Sequence, residues 1–282
     1  MIKTVCPAYL GCKNDFYQTA PCIAAQGGFA GYYSYDIGPD TARGAAETRR
    51  CFTEFHLTPT GFRLPIRLNA CAALFEKAYA ALPGVIRLAY EAGYPAALTW
   101  IMPGSDTVPP FDHRAVLVSR LTRLARLLAE YDMRLAVELV APYTLQQQYR
   151  YPIPATLGYL LSLLRQTGME NVGAVLDVFH FYCAGHQAED YRLIENGAQV
   201  VMVHVSDGVP GRQPNEQLDQ ERRLPGETGV IDCGPLFTRL RALGYGGSVV
   251  PEPIDPALNG RPFSETLRHA AEALDRVWPA RG

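Results

Sequence analysis

Short runs of apolar and β-branched residues recur along the chain at Ile2–Tyr9, Gly31–Ile37, Gly61–Ile66, Ala97–Ile101, Leu135–Val140, Gly173–Val178, Val200–Val205 and Gly247–Pro251. Runs this short and this continuously apolar suit strands buried on both faces, the condition of a parallel sheet. Between most of them the apolar period lengthens to that of a helix. His113–Tyr131, HRAVLVSRLTRLARLLAEY, sets leucines on one stripe and arginines opposite, and Ala155–Gln166, Cys233–Leu243 and Phe263–Val277 read the same way. Eight strand candidates in 282 residues give a spacing of roughly 35, near the size of one βα unit. No Pro/Gly/Ser-rich linker divides the chain, and the longest irregular stretch, Ser206–Gly229, reads as a functional loop. The pattern predicts an α/β fold: a single (β/α)8 TIM barrel domain over residues 1–282.

One stretch tests that reading. NVGAVLDVFHFYCAG, residues 171–185, carries Asp177 and His180 three positions apart at the end of an apolar run. As a helix it leaves both polar groups on one buried face. As a strand, GAVLDV opens after a glycine and sets Asp177 at its C-terminal end, where such barrels place active sites, with His180 just beyond. The glycines and valines weaken the helix. The pattern repeats in MRLAVELVAP with Glu138, in QVVMVHVSDG with His204 and in GGSVVPEPID with Glu252.

Taken singly, a carboxylate at a strand end is ordinarily a helix cap or ion-pair partner, and a histidine on an apolar strand a satisfied core residue. Four of them on the last four strands share one explanation, because a single divalent cation satisfies every buried charge. Three carboxylates and an imidazole suit Mn²⁺ first, with Mg²⁺, Co²⁺ or Zn²⁺ as substitutes. No cysteine joins the set, which argues against a structural zinc site. The remaining histidines, His56, His113, His186 and His269, fall near helix ends or in loops and read as surface residues. The cysteines read as packing residues, with Cys6 alone placed to face a pocket.

Composition narrows the partners. A net charge of −2 with mixed signs offers no basic stripe for nucleic acid. No window approaches the roughly 18 uninterrupted apolar residues of a membrane span. MIKTVCPAYLGCKND lacks the apolar segment of a secretory signal, and seven cysteines without a CxxC pair suit free thiols, so a cytoplasmic location is expected.

The constellation resembles the xylose-isomerase-like TIM barrels, the sugar isomerases and epimerases that include ketose 3-epimerases, inosose dehydratases and hydroxypyruvate isomerases. The resemblance spans most of the chain and is sharp from about Leu135 onward. The family pattern is Glu on strand five, Asp-x-x-His on strand six, His on strand seven and Glu on strand eight. Here these are Glu138 in AVELV, Asp177 and His180 in LDVFH, His204 in VHVSD and Glu252 in VPEPI. A family arginine ahead of a Pro-Gly turn matches Arg222 in RRLPGETGVID, with Arg223 a close second and Arg212 in DGVPGRQ a competitor. The N-terminal half departs: GGFAGYYSYD has tyrosines where many relatives have Gly-Val-Glu.

The resemblance implies a sugar isomerase or epimerase that moves a proton through a metal-stabilised enediolate. Glu138 and Glu252 would bind the ion and act as acid and base, Asp177 and His204 would only ligate, and His180 and Arg222 would hold the substrate oxygen. A small carbohydrate is the expected partner, and homodimers or homotetramers are frequent in the family. A dehydratase of a cyclic polyol ketone would share the first proton abstraction. A non-catalytic sugar-binding barrel has no need of both glutamates. An apurinic-site endonuclease needs further histidines that Leu64–Arg67 and Trp100–Met102 do not supply.

Overall fold

In the computed structural model, which describes residues 1–279, the apolar runs pair side by side as strands. They are β1 (Ile2–Val5), β2 (Gly31–Ser34), β3 (Thr58–Arg63), β4 (Ala96–Ile101), β5 (Arg134–Leu139), β6 (Val172–Asp177), β7 (Val200–Val205) and β8 (Ser248–Pro251). Each hydrogen-bonds in parallel to the next in chain order, and β8 returns to β1 through Ile2 opposite Ser248 and Lys3 opposite Val249, closing an eight-stranded barrel. The predicted architecture is the observed one.

Helices α1 (Phe16–Gln26), α2 (Ala45–Glu54), α3 (Ala72–Ala92), α4 (Pro110–Ala129), α5 (Leu157–Gln166), α6 (Val178–Cys183), α7 (Gly234–Ala242) and α8 (Phe263–Val277) follow the strands in turn. Their buried stripes, such as Leu117, Leu121, Leu124 and Leu128 of α4, pack against the outer faces of the strands. Inside the barrel a second cluster forms from Cys6, Tyr33, Leu98, Ala136, Val175, Met202 and Val250, one residue from each of several strands, as the layered filling of such a barrel requires. Gly173, the second residue of β6, has no room for a side chain, since a Cβ there would lie 2.8 Å from Val201 Cγ2 and 2.9 Å from the Gln199 carbonyl oxygen.

Several expectations need correction. The first strand ends at Val5 rather than Tyr9, because Pro7 starts a helical turn, Pro7–Leu10. The third strand runs Thr58–Arg63 rather than Gly61–Ile66: Leu64 and Ile66 are buried, but only the Leu64 N–H reaches a neighbouring strand, donating to the Leu98 carbonyl at 2.8 Å. The second ends at Ser34, since Asp36 caps a short helical turn, Ile37–Asp40, by accepting from the Gly38 N–H. His113 is not a surface residue. It is 3% exposed on the inner stripe of α4, neither ring nitrogen has a partner, and burial holds its pKa below the usual imidazole value. His186 is half-buried as well, stacked on Phe181 and accepting from the Leu157 N–H.

Candidate metal centre and active site

Side chains alternate along a strand, so two positions beyond an interior residue the chain points inward again. Glu138 stands two beyond Ala136, Asp177 two beyond Val175, His204 two beyond Met202 and Glu252 two beyond Val250. Strand geometry therefore turns all four into the same layer at the C-terminal mouth. Register tightens the group: Asp177 pairs across the sheet with His204, and the Glu252 N–H donates to the Val205 carbonyl at 2.9 Å. One ligand-capable atom from each residue lies within 4.8 Å of every other.

All four are buried, from 0% exposure at His204 to 6% at Glu138. His204 Nδ1 faces both glutamates, 2.9 Å from Glu138 Oε1 and 3.1 Å from Glu252 Oε2. Asp177 answers the strand-or-helix question by doing both jobs. It ends β6 and then caps α6, accepting from the Phe179 N–H at 2.7 Å and the His180 N–H at 3.4 Å with one oxygen. That leaves its other oxygen turned toward the cluster, as a metal ligand needs. The donor set fits a divalent cation: oxygen atoms and one imidazole, convergent, buried, and with more negative charge than the nearby side chains neutralise.

Among the described residues, Arg222 supplies the one fixed positive charge in this cluster. It is 2% exposed, its guanidinium lies 4.6 Å over the Phe179 ring, and all five of its N–H bonds are engaged. Nη1 donates to Asp177 Oδ2 at 2.8 Å and Glu252 Oε2 at 2.7 Å. Nη2 donates to Asp219 Oδ1 at 2.7 Å and His180 Nε2 at 3.2 Å, and Nε to the Asp219 carbonyl at 3.2 Å. Because His180 Nε2 accepts that bond, its proton sits on Nδ1, which has no partner. Of the competing arginines, Arg223 pairs with Asp255 at 3.1 Å and Arg212 with Glu221 at 2.6 Å, both outside the cluster.

These contacts set the ionisation. Burial lifts the Glu138 carboxyl above its ordinary range despite His204 beside it. Glu252 feels the same burial, but His204 and Arg222 outweigh it and hold the carboxyl low. Burial opposes the charge on His204, and the two glutamates overcome it, raising the imidazole well above its usual value.

The cluster opens onto a cavity of about 520 Å³ walled by Tyr9, Tyr35, Trp100, Met102, Val140 and Ile254. Glu138, Glu252, His180, Asp219 and Arg222 line it; Asp177 and His204 do not. Cys6 does not face it either. It is 1% exposed, in the layer below. Two contributors were not expected from the sequence. Asp219 comes from a polar loop, QLDQERR, with no apolar frame to single it out. Asp207, fully buried two residues after β7, accepts from the Gly208, Thr228, Gly229 and Ile231 N–H groups and staples the loop that carries Arg222.

The xylose isomerase-like TIM barrel family model matches residues 23–277. The chain belongs to this family. Its curated relatives include inosose isomerases from Bacillus licheniformis, 27% identical over 166 residues, and from Halalkalibacterium halodurans, 21% identical over 229. The first match covers 59% of this chain and 56% of that protein, the second 79% and 78%. Among solved structures, a xylose isomerase domain protein from Alicyclobacillus acidocaldarius superposes with a TM-score of 0.85 at 25% identity, covering 98% of both chains. The IolI protein with a bound zinc atom gives a TM-score of 0.84 at 18% identity, again over 98% of both.

Proposed function

We propose that this family member is a divalent-metal-dependent isomerase or epimerase of a small carbohydrate or keto-polyol. One observation carries the reading: of the four ligand-capable residues, only Glu138 and Glu252 also line the cavity, while Asp177 and His204 lie behind it. That division matches two tasks, holding an ion and moving a proton. The inosose isomerase relatives and the structural neighbour with bound zinc support it.

Glu138, Asp177, His204 and Glu252 would hold the ion. When bound, it supplies an electrophile that draws electron density from a substrate carbonyl and so acidifies the neighbouring C–H. Glu138 and Glu252 both reach the cavity, so one carboxylate can take that proton and the other return one. His180 offers a neutral ring with its Nδ1 proton uncommitted, and Arg222 a fixed positive charge, to the oxygen that gains negative charge.

The test follows protons. With metal-loaded protein in deuterium oxide, an isomerase or epimerase substrate should take up carbon-bound deuterium. Glu138→Gln and Glu252→Gln should each lower turnover by about 100-fold or more, since an amide cannot accept the proton. Full turnover in the double Gln variant would sink the acid/base assignment. In ordinary water, a product lighter by one water would identify a dehydratase instead.

A further inference from the structure

We propose that the cavity selects an uncharged carbohydrate or cyclic keto-polyol, and that Asp219 is the residue that turns away phosphorylated and carboxylated analogues. The inference deepens the carbohydrate reading above and rests on it.

A side chain that recognises a phosphate or carboxylate does so best as a cation with a free N–H. Among the described residues lining the cavity, Arg222 is the one cationic side chain, and each of its N–H bonds already has an acceptor. Asp219 takes two of the five, through its carboxylate and its own carbonyl. Two other arginines are engaged with residues of the cavity wall. Arg223 pairs with Asp255 at 3.1 Å. Arg63 lies over the Tyr35 ring at 4.4 Å, 6.0 Å from the Trp100 ring, and its Nε donates to the Tyr35 carbonyl at 2.8 Å; it does not line the cavity.

The charge balance points the same way. Glu138, Asp177, Asp219 and Glu252 present four carboxylates around one guanidinium, and a divalent ion still leaves one net negative charge. A phosphate dianion would enter against that field and be disfavoured by it. An uncharged ring meets no such penalty. Its C–H face suits Tyr9, Tyr35 and Trp100, and its hydroxyls suit the carboxylates at the floor. Asp219 holds the Arg222 guanidinium against phosphate and adds a negative charge at the cavity wall.

Calorimetric titration of metal-loaded protein with D-fructose, 2-keto-myo-inositol, D-fructose 6-phosphate and inorganic phosphate tests this directly. A neutral ligand should bind at least about tenfold tighter than the phosphate ester, and inorganic phosphate should give no saturable heat. In Asp219→Asn the preference should shrink by about tenfold, because a repelling charge is removed and a neutral amide oxygen holds the Arg222 guanidinium less tightly than a carboxylate does. Asp219→Ser carries the same expectation if the amide variant fails to fold. Equal or tighter binding of the ester by the unmodified protein overturns the proposal. So does an unchanged preference in the variants, and so does a failure of both neutral ligands to bind. Turnover and deuterium exchange play no part in this measurement, so the proposed reaction and the proposed charge preference can fail separately.

Discussion

Asp40, at the end of the turn after β2, is 5% exposed, and its carboxylate accepts from the Phe16 N–H at 2.8 Å, the Tyr32 O–H at 2.9 Å and the Ser34 O–H at 2.6 Å. Burial nevertheless prevails over those bonds and pushes its carboxyl up to about 6 from an ordinary 3.8. A folded-state value above the unfolded one means that Asp40 favours folding most when protonated in both states, below the unfolded value. That contribution is lost as the pH rises through about 6. Asp40→Asn should remove this dependence, so urea unfolding of variant and parent should diverge between pH 4 and pH 7. The divergence is bounded by about 3 kcal/mol. Parallel stability profiles would show that Asp40 stays ionised throughout. His113 carries a different lesson about single residues. It precedes Leu117, Leu121, Leu124 and Leu128 on one helical stripe, all of them buried, so the period placed it in the core. Its polar identity hid what its spacing stated.

The second half of the barrel was legible because each strand repeats one device, an apolar run that ends in a ligand-capable side chain two positions beyond an interior one. The connection after β7 has no such device. Ser206–Gly229 is polar and irregular, so periodicity says nothing of where Asp219 or Arg222 points, and Arg222 was placed only by its family motif. What orders this stretch is a pair of buried polar pins. Asp207 gathers four backbone N–H groups, and Gln217, 0% exposed, accepts from the Val209 N–H while donating to the Val209 and Arg212 carbonyls. Asp207 also pairs its backbone with Arg223 at 2.8 and 2.9 Å, next to the arginine of the site. Asp207→Asn keeps the shape but turns an amide NH₂ toward N–H donors that lose their acceptor. It should cost on the order of 2–3 kcal/mol in unfolding free energy. It should also raise protease cleavage within residues 206–229. A variant as stable and as resistant as the parent would remove Asp207 from this role.

Barrel closure and the candidate metal centre are thermodynamically tied, since strands β5 to β8 each contribute one member of the cluster. An ion that binds all four joins half the barrel wall at its mouth, and it binds the folded chain far better than the unfolded one. At a free concentration of 100 times Kd, such binding adds about 2.7 kcal/mol to stability. Manganese should therefore raise the Tm of the protein by several degrees, and chelation should reverse the rise. Asp177→Asn is the informative variant, because its remaining oxygen can still cap α6 while the charge facing the cluster is gone. It should bind less than one equivalent of metal by elemental analysis and show little or no rise in Tm. Its metal-free Tm should also fall, since Arg222 loses one of its carboxylates. His204→Gln removes the imidazole between the two glutamates and should abolish the metal response by a separate route. If both variants kept a full equivalent and the full shift in Tm, the ion would be held elsewhere. The convergence of four residues at the barrel mouth would then need another cause, such as the Arg222 network alone.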